Sequence, residues 1–251
     1  MEFDKVLRGF GLGGPTVHTA LATPDTCPGN PLMGAVRVRG GDYDVAVETI
    51  AVGLVTRAEA EDGDALLEFH RAWVAAGFTL APGEHQDIPF TITPPWETPL
   101  THAHGKHLPG MSLGLRTEVT TEEHVDCGDV DIIAIHPLPL QELVMDDLAG
   151  LGFHLRHADV ERGAIYGVRL QLPFYQELEY TPPRAWRRTM DDLELTFVAD
   201  EDGIDVILEY EKHGGLLHRA TDSYARFRLD HDQATQAEVT AALREALPPH
   251  P

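Results

Sequence analysis

The chain has 251 residues, 43% of them hydrophobic, with 19 basic and 41 acidic side chains and a formal charge of −22. That length suits two domains of about 120 residues rather than one long core. The charge excludes nucleic acid as an expected partner, because affinity there comes largely from neutralising phosphates with Lys and Arg, and it disfavours anionic membrane surfaces for the same reason.

The acid excess is even. Residues 1–136 carry 8 basic and 20 acidic side chains and residues 137–251 carry 11 and 21, so it is not an appended tail. Glu2 and Asp4 precede no apolar h-region, and no run approaches the roughly 18 apolar residues of a membrane span. A cytoplasmic protein without membrane insertion is expected. Cys27 and Cys127 lack CxxC or CxxH spacing and read as reduced thiols.

Taken in chain order, "GFGLGG" at 9–14 has no strand before it and no helix after it, so it is read as a lead into the first strand rather than a phosphate cradle. Period-two alternation then recurs: Val36 and Val38; Ile50, Val52 and Leu54; Ile88, Phe90 and Ile92; Leu113, Leu115 and Val119. Between these runs lie "TPDTCPGNP", "RGGDYD", "EAEDGD", "LAPGEHQD" and "TPPWETP", dense in turn residues. Short strands at such spacing predict a β-sandwich or barrel rather than βαβ units. In "PLPLQELVMDDLAGLGF" the period becomes helical, with Pro139 at a first turn and Gly150 as a cap, and this short helix is the expected junction between two domains. Alternation resumes at Phe153, Leu155 and His157, at Val168, Leu170 and Leu172, and at Phe174 to Tyr180, followed by "LELTFVA", "GIDVILEYEK" and "SYARFRLD". "DEDG" at 200–203 reads as a hairpin turn. A last helix is expected with Val239, Ala242, Leu243 and Ala246 on one side, ending at Pro248.

Several strings resemble one family. "NPLMGAVRVRGGDYDVAVETIAVGLVTR", "LAPGEHQDIPFTITPPWETPLT", "PLPLQELVMDDLAGLGFHLRHADVERG" and "LPFYQELEYTPP" are similar to successive segments of the SpoOM sporulation-control family, covering most of residues 12–185 and more weakly about 60 residues beyond. The resemblance implies an all-β chain: a tandem of two arrestin-like β-sandwich domains, at 1–136 and 151–251, with a junction helix in 137–150 and a C-terminal helix. It implies a non-enzymatic regulatory or scaffold protein acting in developmental control through protein partners. It supplies no catalytic residues and no cofactor. The acidity adds that such a partner presents a basic surface, and open sandwich edges are compatible with homo-oligomers.

The chemical motifs are weighed beside this. "THAHGKH" places His102, His104 and His107 together, and these three are the candidate metal ligands. In an extended segment His102 and His104 would share a side and His107 would oppose them, so a third ligand would have to come from His124, Cys127 or a carboxylate. A metal-dependent enzyme or metal-binding protein built on this loop is one alternative function, and a ligand-binding β-sandwich module is another. "DCGDVD" lacks the spacing of a calcium loop and reads as a turn leading into a strand. Gly110, Ser112 and Gly114 spell GxSxG, but the β-alternating "LGLRTEVT" follows where a nucleophile elbow needs a helix. Trp73 is assigned to the core or the space between sheets, and Trp96 and Trp186 to Pro-rich corners.

Overall fold

The computed structural model describes residues 14–59, 63, 65–122, 125–212 and 221–248. Most of "GFGLGG", and with it His124 and the Cys127 side chain, lies outside the described residues.

The first eleven strands are β1 (Thr16–Leu21), β2 (Asp25–Thr26), β3 (Leu32–Arg39), β4 (Val45–Ala58), β5 (Ala65–Leu80), β6 (His85–Ile92), β7 (His102–Ala103), β8 (Lys106–His107), β9 (Leu113–Thr121), β10 (Val125–Ile132) and β11 (Ala134–Ile135). Helix α1 (Pro139–Gly150), strands β12 (His154–Arg162), β13 (Phe174–Thr181), β14 (Leu193–Ala199), β15 (Gly203–Lys212) and β16 (Thr221–Asp230), and helix α2 (Gln236–Ala246) complete the order. The chain divides into two compact units. One comprises Met1–Arg57, Leu66–Pro95 and Ser112–Ile135, and the other Ala58–Ala65, Trp96–Met111 and His136–Pro251.

In the first unit a three-stranded sheet, β1-β3-β6, and a four-stranded sheet, β10-β9-β4-β5, hold the core, and β11 pairs with β2 in a short parallel ladder. The alternating positions behave as pleated geometry requires: Val36 and Val38 on one sheet and Ile50, Val52, Leu54 and Leu115 on the other are buried. The two sheets also share a polar contact, because the buried hydroxyls of Thr19 on β1 and Thr117 on β9 hydrogen-bond to each other. Gly34 is glycine for a steric reason: a Cβ there would lie 2.7 Å from the Ala20 carbonyl oxygen and from the Phe90 ring.

The second unit is an antiparallel five-stranded meander, β12-β13-β14-β15-β16. Helix α1 begins at Pro139, as its fixed φ favours, with Gln141 Oε1 accepting from Leu138 N at 2.8 Å. Its C-terminal glycine is Gly152 rather than Gly150. Gly152 takes φ 90°, and the amides of Gly152 and Phe153 bond back to Ala149 and Leu148 at 3.0 Å, which closes the helix in a Schellman arrangement. Helix α2 is opened by a capping box between Thr235 and Glu238 and buries Val239 and Leu243. Its Gln236 and Thr240 both donate to the Asp147 carboxylate on α1, at 2.8 and 2.6 Å.

Three expectations fail locally. Val168, Leu170 and Leu172 form no strand, because the amides of Gln171 and Leu172 donate to the Glu97 carboxylate at 2.8–2.9 Å instead of to a ladder. The "DCGDVD" segment is not a turn leading into a strand but part of β10 itself, with a bulge between Cys127 and Val130. Trp73 is 69% exposed, because β5 lies at the edge of its sheet; the Arg71 guanidinium sits 5.7 Å from the Trp73 ring. The remaining tryptophans pack. Trp186 is buried against Phe153 at 5.3 Å and donates Nε1–H to the Pro248 carbonyl at 3.3 Å, and Trp96 lies 5.7 Å from the His231 ring.

Candidate functional site

The histidine-rich stretch belongs to the second unit. Residues 102–107 make a two-residue hairpin in which His104 and Gly105 both take positive φ, 48° and 69°, as a type I′ turn requires. The hairpin therefore sets His102 directly across from His107, and their rings meet edge to face at 5.4 Å. This reverses the expectation from an extended chain. His102 and His107 share a face, while His104 turns away and reaches Asp146 on α1, Nδ1 to Oδ1 3.1 Å. The additional neighbour is His136, whose ring centroid lies 5.0 Å from that of His102. His102 Nδ1 also shares a 2.9 Å hydrogen bond with Thr101 Oγ1. The three candidate ligands thus do not converge on one point, since His104 is committed elsewhere.

Ser112 immediately precedes β9, an antiparallel strand between β4 and β10, and its carbonyl accepts from Thr56 Oγ1 at 3.1 Å. No helix follows it. Gly110 takes φ 93°, and a Cβ there would fall 2.2 Å from the Ala158 carbonyl of β12, so both the turn and the close approach require glycine. The GxSxG spelling is therefore a packing arrangement and not a nucleophile elbow.

A cavity with several ionisable walls lies elsewhere, on the β12–β16 sheet. Alternation that buries Leu178, Leu195 and Leu208 turns Glu177 of β13, Glu194 of β14 and Glu209 of β15 to the opposite face. There they line a cavity of about 350 Å³ with Tyr175 and Tyr224, floored by Thr196 and Ile207 and flanked by residues 164–166. Glu194 and Glu209 are direct cross-strand partners. The flanking segment is tied to β16, where Arg226 Nη1 donates to the Gly167 carbonyl at 2.6 Å and Tyr224 Oη to the Tyr166 carbonyl at 3.5 Å.

The electrostatics of this face follow from burial and like charge. Desolvation, with Glu194 and then Asp159 beside it, pushes Glu177 up to about 8. Desolvation, Asp192 and Glu209 raise Glu194 to about 7, and desolvation with Glu179 and Glu59 raises Asp159 to about 6. Tyr175 rises to about 12 through burial and Glu177. Among the described residues no basic side chain lines the cavity. The nearest arginines of β16 are committed, Arg226 Nε to Asp205 at 3.1 Å and Arg228 to Asp205 and Asp200 at 3.1 and 2.6 Å. At the rim, Asp159, Glu161 and Glu177 bring one carboxylate oxygen each within 4.8 Å of the others, which the histidine loop does not do with any three ligand atoms.

Sequence reasoning missed this cavity. Its signal is visible in retrospect as a glutamate beside a buried leucine in each of three strands, "QELEY", "DLELT" and "ILEYE", but the register that gathers them is a long-range property.

Comparison with known proteins places these features in context. A family model described as "SpoOM protein" matches residues 3–214. The "Sporulation-control protein spo0M" of Bacillus subtilis (strain 168) is 32% identical over 255 residues, covering 98% of this chain and 95% of that protein. The crystal structure of Spo0M from Bacillus subtilis superposes with a TM-score of 0.77 at 28% identity, covering 93% of this chain and 97% of that one. The arrangement of sheets is accordingly the arrestin-like β-sandwich fold.

Proposed function

The chain belongs to the SpoOM protein family, and from that premise we propose that it is a non-catalytic regulator in sporulation control, working in the cytoplasm by docking a protein partner that presents a basic surface. The single observation that carries this reading is the gathering of Glu177, Glu194 and Glu209 around one cavity with no cation among its described walls. Three carboxylates held so close that burial and mutual repulsion raise two of them to about 7 and about 8 represent unfavourable charge. A cationic partner relieves it. The formal charge of −22 supplies long-range attraction of the same sign preference. The reading is also supported by the name of the Bacillus relative, a sporulation-control protein, and by the strand context of Ser112, which leaves the GxSxG spelling without its elbow.

The test is affinity capture with the purified chain from the native cytoplasm, at salt of about 0.05 M and about 0.5 M, where the screening length falls roughly threefold. Captured proteins with basic surfaces, lost at high salt, support the reading. An acidic partner retained equally at both salts overturns it.

A further inference from the structure

We propose that the cavity between β13, β14, β15 and residues 164–166 is a binding site for a primary alkylammonium group, the chemistry of a lysine side chain or of a free aliphatic amine. The inference rests on the docking reading above and gives that site its ligand class. Its volume of about 350 Å³ falls in the range of small-ligand sites, roughly 300–1,000 Å³, and is ample for a four-carbon chain bearing one charged end. The walls divide by chemistry. Tyr175 and Tyr224 present ring surface to the aliphatic stem, with Ile207 as apolar floor, while Glu177, Glu194 and Glu209 approach from three different strands. An ammonium offers three donors around a point charge and suits carboxylates arriving from separate directions. A guanidinium fork is best matched by one coplanar carboxylate.

The arginine that β16 places opposite the Ile207 floor does not fill this role. Arg226 stands on β16 opposite Ile207, yet its guanidinium is spent on Asp205 and on the Gly167 carbonyl, so it fastens the flanking segment rather than neutralising the floor. Besides the three glutamates, the charged and titratable groups around this region include Asp159, Glu161 and His157 on β12, Glu179 on β13 with Arg156 of β12 paired to it, and Tyr175 on β13. They also include Asp205 on β15 with Arg226 and Arg228 of β16 paired to it, Tyr224 on β16, and Glu59 and Asp192 beside Asp159 and Glu194. A bound ammonium therefore displaces protons held by Glu177 and Glu194, and binding strengthens as pH rises from about 6 to about 8.5.

The experiment is titration of the full chain, followed by calorimetry and amide NMR, with Nα-acetyl-lysine methylamide, 1,4-diaminobutane, norleucine methylamide and calcium chloride at both pH values. The expected result is binding of one or both amines with shifts centred on β13–β15, at least tenfold tighter at the higher pH, and none of the norleucine compound. Binding of the lysine compound assigns the group to a partner's side chain, and binding of the diamine alone assigns it to a free amine. The E194Q/E209Q variant, in which glutamine keeps the shape and removes repulsion, and T196R, which fills the cavity with a tethered cation, should each weaken binding at least tenfold. No amine binding, binding unchanged in both variants, or binding of calcium alone overturns the inference. Those failures leave the salt-sensitive capture of a partner standing or falling on its own result.

Discussion

Glu194 of β14 and Glu209 of β15 lie directly opposite each other in an antiparallel ladder, two carboxylates at a cross-strand position where like charges are destabilising. The sheet tolerates the pair because its stability resides on the other face, where Leu195 and Leu208 are also partners and both are fully buried. The charged face is thus available for function at a cost borne by the core beneath it.

Glu177→Gln and Glu194→Gln should each stabilise the protein at alkaline pH. A carboxyl whose folded pKa is raised is destabilising once ionised, and the effect is absent below the unfolded value near ~4.3, where both states hold the proton. It grows as pH rises above the unfolded value and levels off once pH passes the folded values of about 7 and about 8. Urea unfolding should show a gain of about 1 kcal/mol per variant at pH 9 and none at about pH 3. A gain of the same size at both pH values would show that the charge is not the cause.

The hydroxyl pair Thr19–Thr117 should behave asymmetrically. Thr117→Val alone leaves a buried hydroxyl of Thr19 unsatisfied and should cost about 1–3 kcal/mol, whereas the double change to Val should be close to neutral. The double-mutant cycle in urea reads the difference.

The two tryptophans at opposite extremes of burial separate packing from surface. Trp186→Ala removes a buried ring packed on Phe153 and should cost about 3–5 kcal/mol. Trp73→Ala, at an exposed edge position, should stay within about 0.5 kcal/mol. Equal losses in thermal unfolding would contradict the assignment of Trp73 to the surface.

Glu97 fastens residues 171 and 172 through three amide contacts. Glu97→Ala should therefore speed hydrogen exchange at Gln171 and Leu172 by about tenfold or more while leaving exchange in β14 unchanged. Protection unchanged at those two amides would mean that the carboxylate does not hold the segment.

What the sequence makes legible follows from which forces are local. Alternation at Val36 and Val38 and helical spacing at Val239 and Leu243 are properties of a few consecutive residues, and both sets are buried as expected. The junction helix begins at Pro139 for the same reason, since a proline's φ is its own. Trp73 is exposed where its local pattern predicts core, because an edge strand and an inner strand share one local pattern and only the neighbour on each side distinguishes them. Extended geometry pairs His104 with His102, but the positive φ at residues 104 and 105 reverses the chain and sets His107 opposite His102 instead. Val168, Leu170 and Leu172 alternate without a partner strand, and a carboxylate from residue 97 takes the amides a ladder would have used. The cavity was invisible for the most general reason. Its three glutamates are 17 and 15 residues apart in sequence and meet only through strand register.

The measurement that bears most directly on the central claim is capture of the partner by wild-type chain and by the E194Q/E209Q variant, side by side at low salt. The wild type should retain a basic-surfaced partner, and the variant, equally folded by circular dichroism, should lose most of it. Equal retention by both proteins would contradict the assignment of docking to this acidic face.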